Sequence, residues 1–300
     1  MSINIDNLKP YKRLRRGTDG VVILANNEKY SVKIYRLSPK YMKELIKIMD
    51  YLNNYEIPTI YKSYKFLSKK NSLERYKNKL PNYFLFLDEN NLQKLSENYN
   101  MKNRLVEIMK SYETTLNKFL DNYDKENKSI MIESLYYQGI LTLLWMYMKK
   151  GILHKDLSLD NYFIQKTDNE YFEITIKNIN YKVKLYDYYL VLGDFGYSRS
   201  LELSDHNEYP DSLNSSVGSS DMNPYYEILN FINIFKRYIN IDTDEYILKS
   251  GVYNVGNNMS MTSQYKSLMK SYILNENFKE ESKKFKRLYF KFINDKVLKI

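Results

Sequence analysis

The residues of this chain best suited to chemistry are His154-Lys155-Asp156-Leu157-Ser158-Leu159-Asp160-Asn161 and, further on, Asp194-Phe195-Gly196. Asp156 and Asp194 are carboxylates, and Asn161 brings an amide five residues after Asp156. One carboxylate can orient an attacking hydroxyl. An amide oxygen and a second carboxylate can hold a hard divalent cation such as magnesium. Phosphoryl transfer asks a protein for positioning and charge neutralisation more than for covalent work, so these three groups suit it. The flanks fit a rigid loop. Gly151-Ile152-Leu153 and Tyr162-Phe163-Ile164 are short apolar runs on either side, and Tyr189-Leu190-Val191-Leu192 reads as a buried strand that delivers Asp194.

The first run matches the catalytic-loop pattern H-R-D-L-x-x-x-N with Lys155 in place of Arg, and the second is the magnesium-binding D-F-G. On these motifs the chain resembles a eukaryotic-type Ser/Thr protein kinase, and the likeness runs from residue 14 to about residue 235. The resemblance implies an α+β, bilobal fold. A β-rich N-lobe would occupy residues 1–110, with an insertion near 68–100, and a mainly helical C-lobe residues 111–300. It implies ATP and Mg²⁺ as cofactors, with Asp156 acting on the substrate hydroxyl and Asn161 and Asp194 holding the metal. His154 would support the loop from within and not act as a base.

The elements that must position these groups follow the same pattern. From Leu14 to Tyr35 the chain reads strand, glycine turn, strand, turn, strand. Gly17-Thr18-Asp19-Gly20-Val21-Val22 resembles the second half of the kinase glycine-rich loop, where a missing Cβ lets backbone amides approach phosphate. Tyr30-Ser31-Val32-Lys33-Ile34-Tyr35 resembles the V-A-I-K strand, with Lys33 on the phosphates and Val22 and Ser31 among the nucleotide contacts. Ser38 and Pro39 read as the start of a helix whose apolar face is Tyr41, Leu45, Ile48, Met49 and Leu52. The family requires a Glu there to pair with Lys33. Glu44 is the candidate and Glu56, in a loop before Ile57-Pro58, the rival. Arg104 to Met109 reads as the strand entering the hinge, and Lys110 to Glu113 as the hinge that receives adenine, which places Met109 and Ser111 at the nucleotide; Leu87-Asp88-Glu89 is the alternative hinge. Thr114 to Leu120 fits a capped helix, Ile130 to Lys150 a long buried helix, and Phe172 to Leu185 an inserted β-hairpin. Asn223 to Ile234 reads as an apolar helix, and Lys279 to Lys299 as a basic amphipathic stretch.

Four departures from the family pattern stand out. Ser158 replaces the usual Lys, Arg15 replaces the first loop glycine, no Ala-Pro-Glu ends the activation segment, and Glu227 stands where an Asp is expected. Composition adds bounds. Lys and Arg number 46 against 36 Asp and Glu, a net charge of +10, and there is no cysteine, so disulfides and thiolate metal sites are excluded. The charge admits an anionic partner such as nucleic acid, an acidic protein or a membrane surface. The abundance of Lys, Asn, Ile and Tyr also reads as the codon bias of an AT-rich genome, and looks like that of the kinases of large DNA viruses or of an AT-rich protist. No apolar run reaches the roughly 18 residues of a membrane span. The expected location is intracellular, in host cytoplasm or virion if the source is viral.

Three rival readings remain at this level: a small-molecule kinase of the same fold, a pseudokinase scaffold, and a basic nucleic-acid binder. The last explains none of the motif spacing. Because Lys155 lacks the bidentate fork that Arg offers phosphate, activity is expected not to depend on phosphorylation of the segment holding Ser198, Ser212, Ser215, Ser216, Ser219 and Ser220. Initial rates before and after phosphatase treatment check this; a tenfold drop would contradict it.

Overall fold

The computed structural model describes residues 10–16, 20–25, 29–35, 42–67, 105–123, 126–176, 179–203 and 224–238. Helices and strands are both abundant, giving an α+β chain. It divides into two compact units. The first takes the described residues up to Glu56 and from Tyr61 to Tyr112. The second takes Ile57–Ile60 and the described residues from Glu113 onward.

Among the described residues the first unit is a five-stranded sheet with one helix. Strands β1 (Pro10–Arg16), β2 (Gly20–Ala25), β3 (Tyr30–Tyr35), β4 (Ser63–Leu67) and β5 (Val106–Lys110) pair in the order β1-β2-β3-β5-β4. All four pairings are antiparallel. Ser31, Val32, Lys33 and Tyr35 are all buried, so β3 is covered on both faces. Helix α1 (Lys43–Asn53) buries Leu45, Ile48, Met49 and Leu52, the stripe expected from i, i+3, i+4 spacing. Met42 is the N-cap and makes no side-chain capping bond. Ser38 and Pro39 lie outside the described residues, as do Gly17, the 68–100 insertion, the alternative hinge at Leu87 and the C-terminal basic stretch.

The second unit is organised around α3 (Lys128–Lys150), on which every residue from Met131 to Tyr147 except Glu133 is buried. A helix apolar on all sides belongs in a core. It ends at Gly151, in the left-handed conformation at φ 57°. Before it come the short strand β6 (Thr114–Thr115) and helix α2 (Leu116–Asn122), whose N-cap Thr115 accepts from Lys118 N–H at 3.5 Å. After it come β7 (Ile152–Leu153), β8 (Tyr162–Lys166), β9 (Tyr171–Ile176), β10 (Ile179–Lys184), β11 (Tyr188–Leu192) and β12 (Arg199–Ser200), then α4 (Pro224–Phe235). Strand β8 lies between β11 and β6, and β12 pairs with β7. The inserted hairpin is β9 and β10, in register from Ile179 opposite Ile176 to Lys184 opposite Tyr171. Phe172, Ile174, Ile176, Tyr181 and Val183 are its buried side, and both strands contact α3. The strict period of two in the sequence comes from this one-sided burial.

Buried polar groups fix how α3 meets its neighbours. Gln138 Nε2 donates to Tyr188 O at 3.2 Å, and Gln138 Oε1 accepts from Leu190 N at 2.9 Å, so one amide satisfies two backbone groups of β11. Ser134 Oγ donates to Lys184 O at 2.6 Å. Thr142 Oγ1 is 2.5 Å from Thr59 Oγ1, and the Ile57–Ile60 segment goes on to bridge β11, with Leu192 N donating to Thr59 O at 2.8 Å.

Helix α4 packs against α3 at Gly139, where a Cβ would run into the ring edge of Phe231. That ring is fully buried and stacks on Tyr136 with centroids 5.7 Å apart, meeting Phe235 and Tyr162 as well. Alanine is the better helix former by about 1 kcal/mol, but overpacking a rigid aromatic cluster costs about 1–3 kcal/mol. Gly139→Ala should therefore lower the unfolding free energy by about 1 kcal/mol, read as a lower urea midpoint. An unchanged or higher midpoint would show that Phe231 moves aside without cost.

Candidate functional site

In the second unit, α3 ends at Gly151, β7 follows, and the chain enters the segment of His154, Asp156 and Asn161. The loop is held from below by Glu227, in the first turn of α4. Glu227 Oε1 accepts from His154 N at 2.5 Å and from Lys155 N at 2.8 Å. Lys155 has φ 66°, a left-handed conformation uncommon in a residue with a side chain. Two hydrogen bonds to a buried acceptor on a core helix hold that backbone in place.

His154 is fully buried. Its Nε2 is 2.7 Å from Gly193 O, its Nδ1 accepts from Asp156 N at 3.3 Å, and its ring meets Phe195 edge-on at 4.8 Å. These contacts require the neutral ring with its proton on Nε2. His154 is thus a strut between the loop and the segment before Asp194.

Asn161 Nδ2 donates to Asp156 O at 2.7 Å and to Asp156 Oδ2 at 2.8 Å. The amide closes the loop and aims the carboxylate. Asn161 O in turn accepts from Gly193 N at 2.9 Å, so the residue next to Asp194 hangs on the loop that carries Asp156. Asp194 has φ 58° and accepts from Gly196 N at 3.4 Å, capping a 3₁₀ turn over Phe195–Tyr197. Asp156, Asn161 and Asp194 are half-buried, open enough to meet a ligand.

The donor set fits magnesium. Among the described residues no group of three or more His, Cys, Asp and Glu could cage a metal. Mg²⁺ commonly takes one or two protein oxygens and completes its shell with water and substrate phosphate. An amide oxygen at Asn161 and a carboxylate at Asp194 are hard donors of that kind.

In the first unit, Val22 lies opposite Lys33 across β2 and β3, and Ser31 lies opposite Met109 across β3 and β5. Lys33 and Ser31 are buried, and Lys33 Nζ sits 4.6 Å from the centre of the Tyr35 ring. Glu44 is on the buried side of α1, whereas Glu56 is exposed beyond its end. The Ser111 N–H donates to Lys29 O at 3.4 Å. Gly20 is opposite Tyr35. A Cβ there would overlap the Ile34 carbonyl, so the sheet alone already requires glycine at this position, whatever it does for phosphate.

Two readings change. Ser198 is not a surface serine open to modification: it is buried and its Oγ donates to His154 O at 3.1 Å. The other five serines of that segment lie outside the described residues. Glu227, read from sequence only as a misplaced acid, is the loop's anchor.

Two residues near the loop or on the sheet had no sequence signal. Tyr162 is fully buried, its hydroxyl has no hydrogen-bond partner among the described residues, and burial followed by the Glu227 and Asp156 charges raises its pKa well above the ordinary tyrosine value. The other is Glu107, completely buried on β5. No known protein family and no curated protein sequence matches this chain.

Burial pushes the Glu227 carboxyl up to about 7, against the pull of the Lys155 and His154 N–H groups and the Lys155 charge. A carboxyl raised on folding holds its proton in the folded state over a pH range where the unfolded chain has lost it. Stability is then greatest below the unfolded value of 4.5 and falls as pH rises to about 7. The cost of that shift is about 3 kcal/mol. Relative to Glu227→Gln, the wild-type chain should lose about this much stability between pH 4.5 and pH 7.5, measured by urea unfolding at both values. A gap that does not change with pH would mean that the carboxylate is fully solvated or fully compensated.

Proposed function

We propose that the chain is a protein Ser/Thr kinase that transfers the γ-phosphoryl group of Mg-ATP to protein hydroxyls. The observation that carries this is the Asn161 amide gripping both the backbone and the carboxylate of Asp156 while its own carbonyl holds the Gly193 N–H beside Asp194. The hydroxyl-orienting carboxylate and the two metal-binding oxygens thus belong to one hydrogen-bonded assembly, the precision that positioning catalysis needs. The bilobal architecture, with the first unit as the β-rich lobe and the second as the mainly helical one, belongs to the same proposal.

Within it Asp156 accepts a hydrogen bond from the incoming serine or threonine hydroxyl and takes its proton as the oxygen attacks. The γ-phosphoryl group passes to that oxygen and the bond to the β-phosphate oxygen breaks, leaving ADP. Asn161 keeps the Asp156 carboxylate in line, and together with Asp194 would hold magnesium, which neutralises phosphate charge when bound. Lys33 meets the α- and β-phosphates, with Glu44 as its partner on α1. Val22, Ser31, Met109, Ser111 and Gly20 line the nucleotide; Gly17, the other glycine read with them, lies outside the described residues. Use of ATP goes with an intracellular location. Among the described residues no helix is long and apolar enough to cross a membrane.

Purified chain with γ-labelled Mg-ATP and a generic acidic or basic protein tests the reading. Asp156→Asn should reduce transfer by at least about 10³-fold and leave ATP affinity nearly unchanged, since its carboxylate serves the hydroxyl and not the nucleotide. Asp194→Ala should abolish the magnesium-dependent part of the ATP-induced thermal shift. Nucleotide binding without transfer in the wild-type chain would support a scaffold, and label on small alcohols in place of protein would support a small-molecule kinase.

A further inference from the structure

Glu107 is a carboxylate with no solvent exposure in the middle of a strand, and none of the phosphotransfer roles uses it. It sits directly opposite Lys33 across β3 and β5. Residues opposed in this way on antiparallel strands point to the same face, with Cβ atoms about 4.5–5.5 Å apart. Tyr35, two residues after Lys33 on the same strand, completes the group. Its hydroxyl donates to Glu107 Oε2 at 2.6 Å, and its ring lies under Lys33 Nζ. Tyr61 donates its hydroxyl to the other oxygen, Oε1, at 2.5 Å. Both oxygens of Glu107 therefore accept O–H bonds. Bonds of this kind favour the ionised form, against burial, which raises the carboxyl. The cation opposite it across the two strands is Lys33, whose charge also favours the ionised form.

We propose that Glu107 is a positioning residue for Lys33, a carboxylate partner built into the sheet that acts alongside the one on α1. The inference deepens the kinase reading, on which the importance of Lys33 rests. A partner on β5 is fixed by the strand pairing itself, so the orientation of Lys33 does not depend on the placement of α1 alone. The groups facing Glu107 are Lys33 and Tyr35 from β3, Tyr61 and Ser63 from β4 and the residues before it; α1 adds one buried acid of its own, Glu44. Burial raises the Glu107 carboxyl, and the Tyr35, Tyr61 and Ser63 hydroxyls and the Lys33 charge draw it back.

Two measurements on the full chain decide this, and neither needs activity. Lysines are reductively methylated with ¹³C-formaldehyde, the Lys33 resonance is assigned by its loss in Lys33→Arg, and its position is recorded by NMR. Glu107→Gln should displace it, since removing a close opposite charge changes the field at the ammonium. Tyr61→Phe, which removes a hydroxyl but no charge, should move it much less. The second is a double-mutant cycle in urea. Lys33→Met alone should be strongly destabilising because it strands a buried carboxylate, and adding Glu107→Gln should recover at least half of the loss. The cycle remains informative if Glu107→Gln alone folds poorly, because the double variant restores neutrality. An unchanged Lys33 resonance together with additive effects in the cycle would overturn the inference, even if the chain is an active kinase. Coupling in both experiments with no phosphotransfer by the wild-type chain would uphold the pair and refute the kinase reading.

Discussion

The geometry of the His154–Asn161 segment depends on one interaction, the Glu227 carboxyl beneath the His154 and Lys155 amides. Lys155 is held in a left-handed conformation, and a non-glycine residue does not stay there without support from outside its own segment. With that backbone fixed, the His154 ring is directed at Gly193 O and the Asp156 carboxylate at Asn161. The Asp194 segment is then tied in twice, through His154 and through Asn161 O. Loss of the anchor would leave the buried His154 N–H and the half-buried Lys155 N–H unsatisfied at the root of this chain of contacts, a cost of about 1–3 kcal/mol for the buried one.

The same principle recurs in other places of the structure. Aromatic and aliphatic burial supplies most of the driving force, with Tyr136, Phe231 and Phe235 clustered between α3 and α4. Apolar packing, however, is tolerant of small slides between elements. Polar groups that must be satisfied when buried are not. Gln138 matches one amide to two backbone groups of β11, so a shift of α3 along that strand would break both bonds. Thr59 and Thr142 do the same for the Ile57–Ile60 segment. Glu107, on β5, ties β3 and the segment leading into β4 through the Tyr35 and Tyr61 hydroxyls.

Much of the fold was legible because it is local. The glycine-punctuated strands β1 to β3, the wholly apolar α3 and the alternating β9 and β10 each carry the period of their own element. The spacing of His154, Asp156 and Asn161 is local too, since a loop of this length can be closed by its own amide and carboxylate. Helix α1 is legible by its face, since Leu45, Ile48, Met49 and Leu52 stand at helical spacing and are buried, while the Ser38-Pro39 start signal lies outside the described residues.

The amino-acid sequence by itself determined the longer helices and strands and the spacing of Asp156 and Asn161. That the helix after Thr115 is preceded by a two-residue strand, where the sequence reads helix from Thr114, depends on pairing with β8. Tertiary structure alone decided which acids matter to the backbone that carries them. Glu227 lies 73 residues from His154, and Glu107 lies 72 residues from Tyr35. Nothing in the periodicity of either acid's own element marks it as different from a solvated glutamate. Its role depends on partners that folding brings beside it, in surroundings where a buried charge must be answered by donors or by a cation.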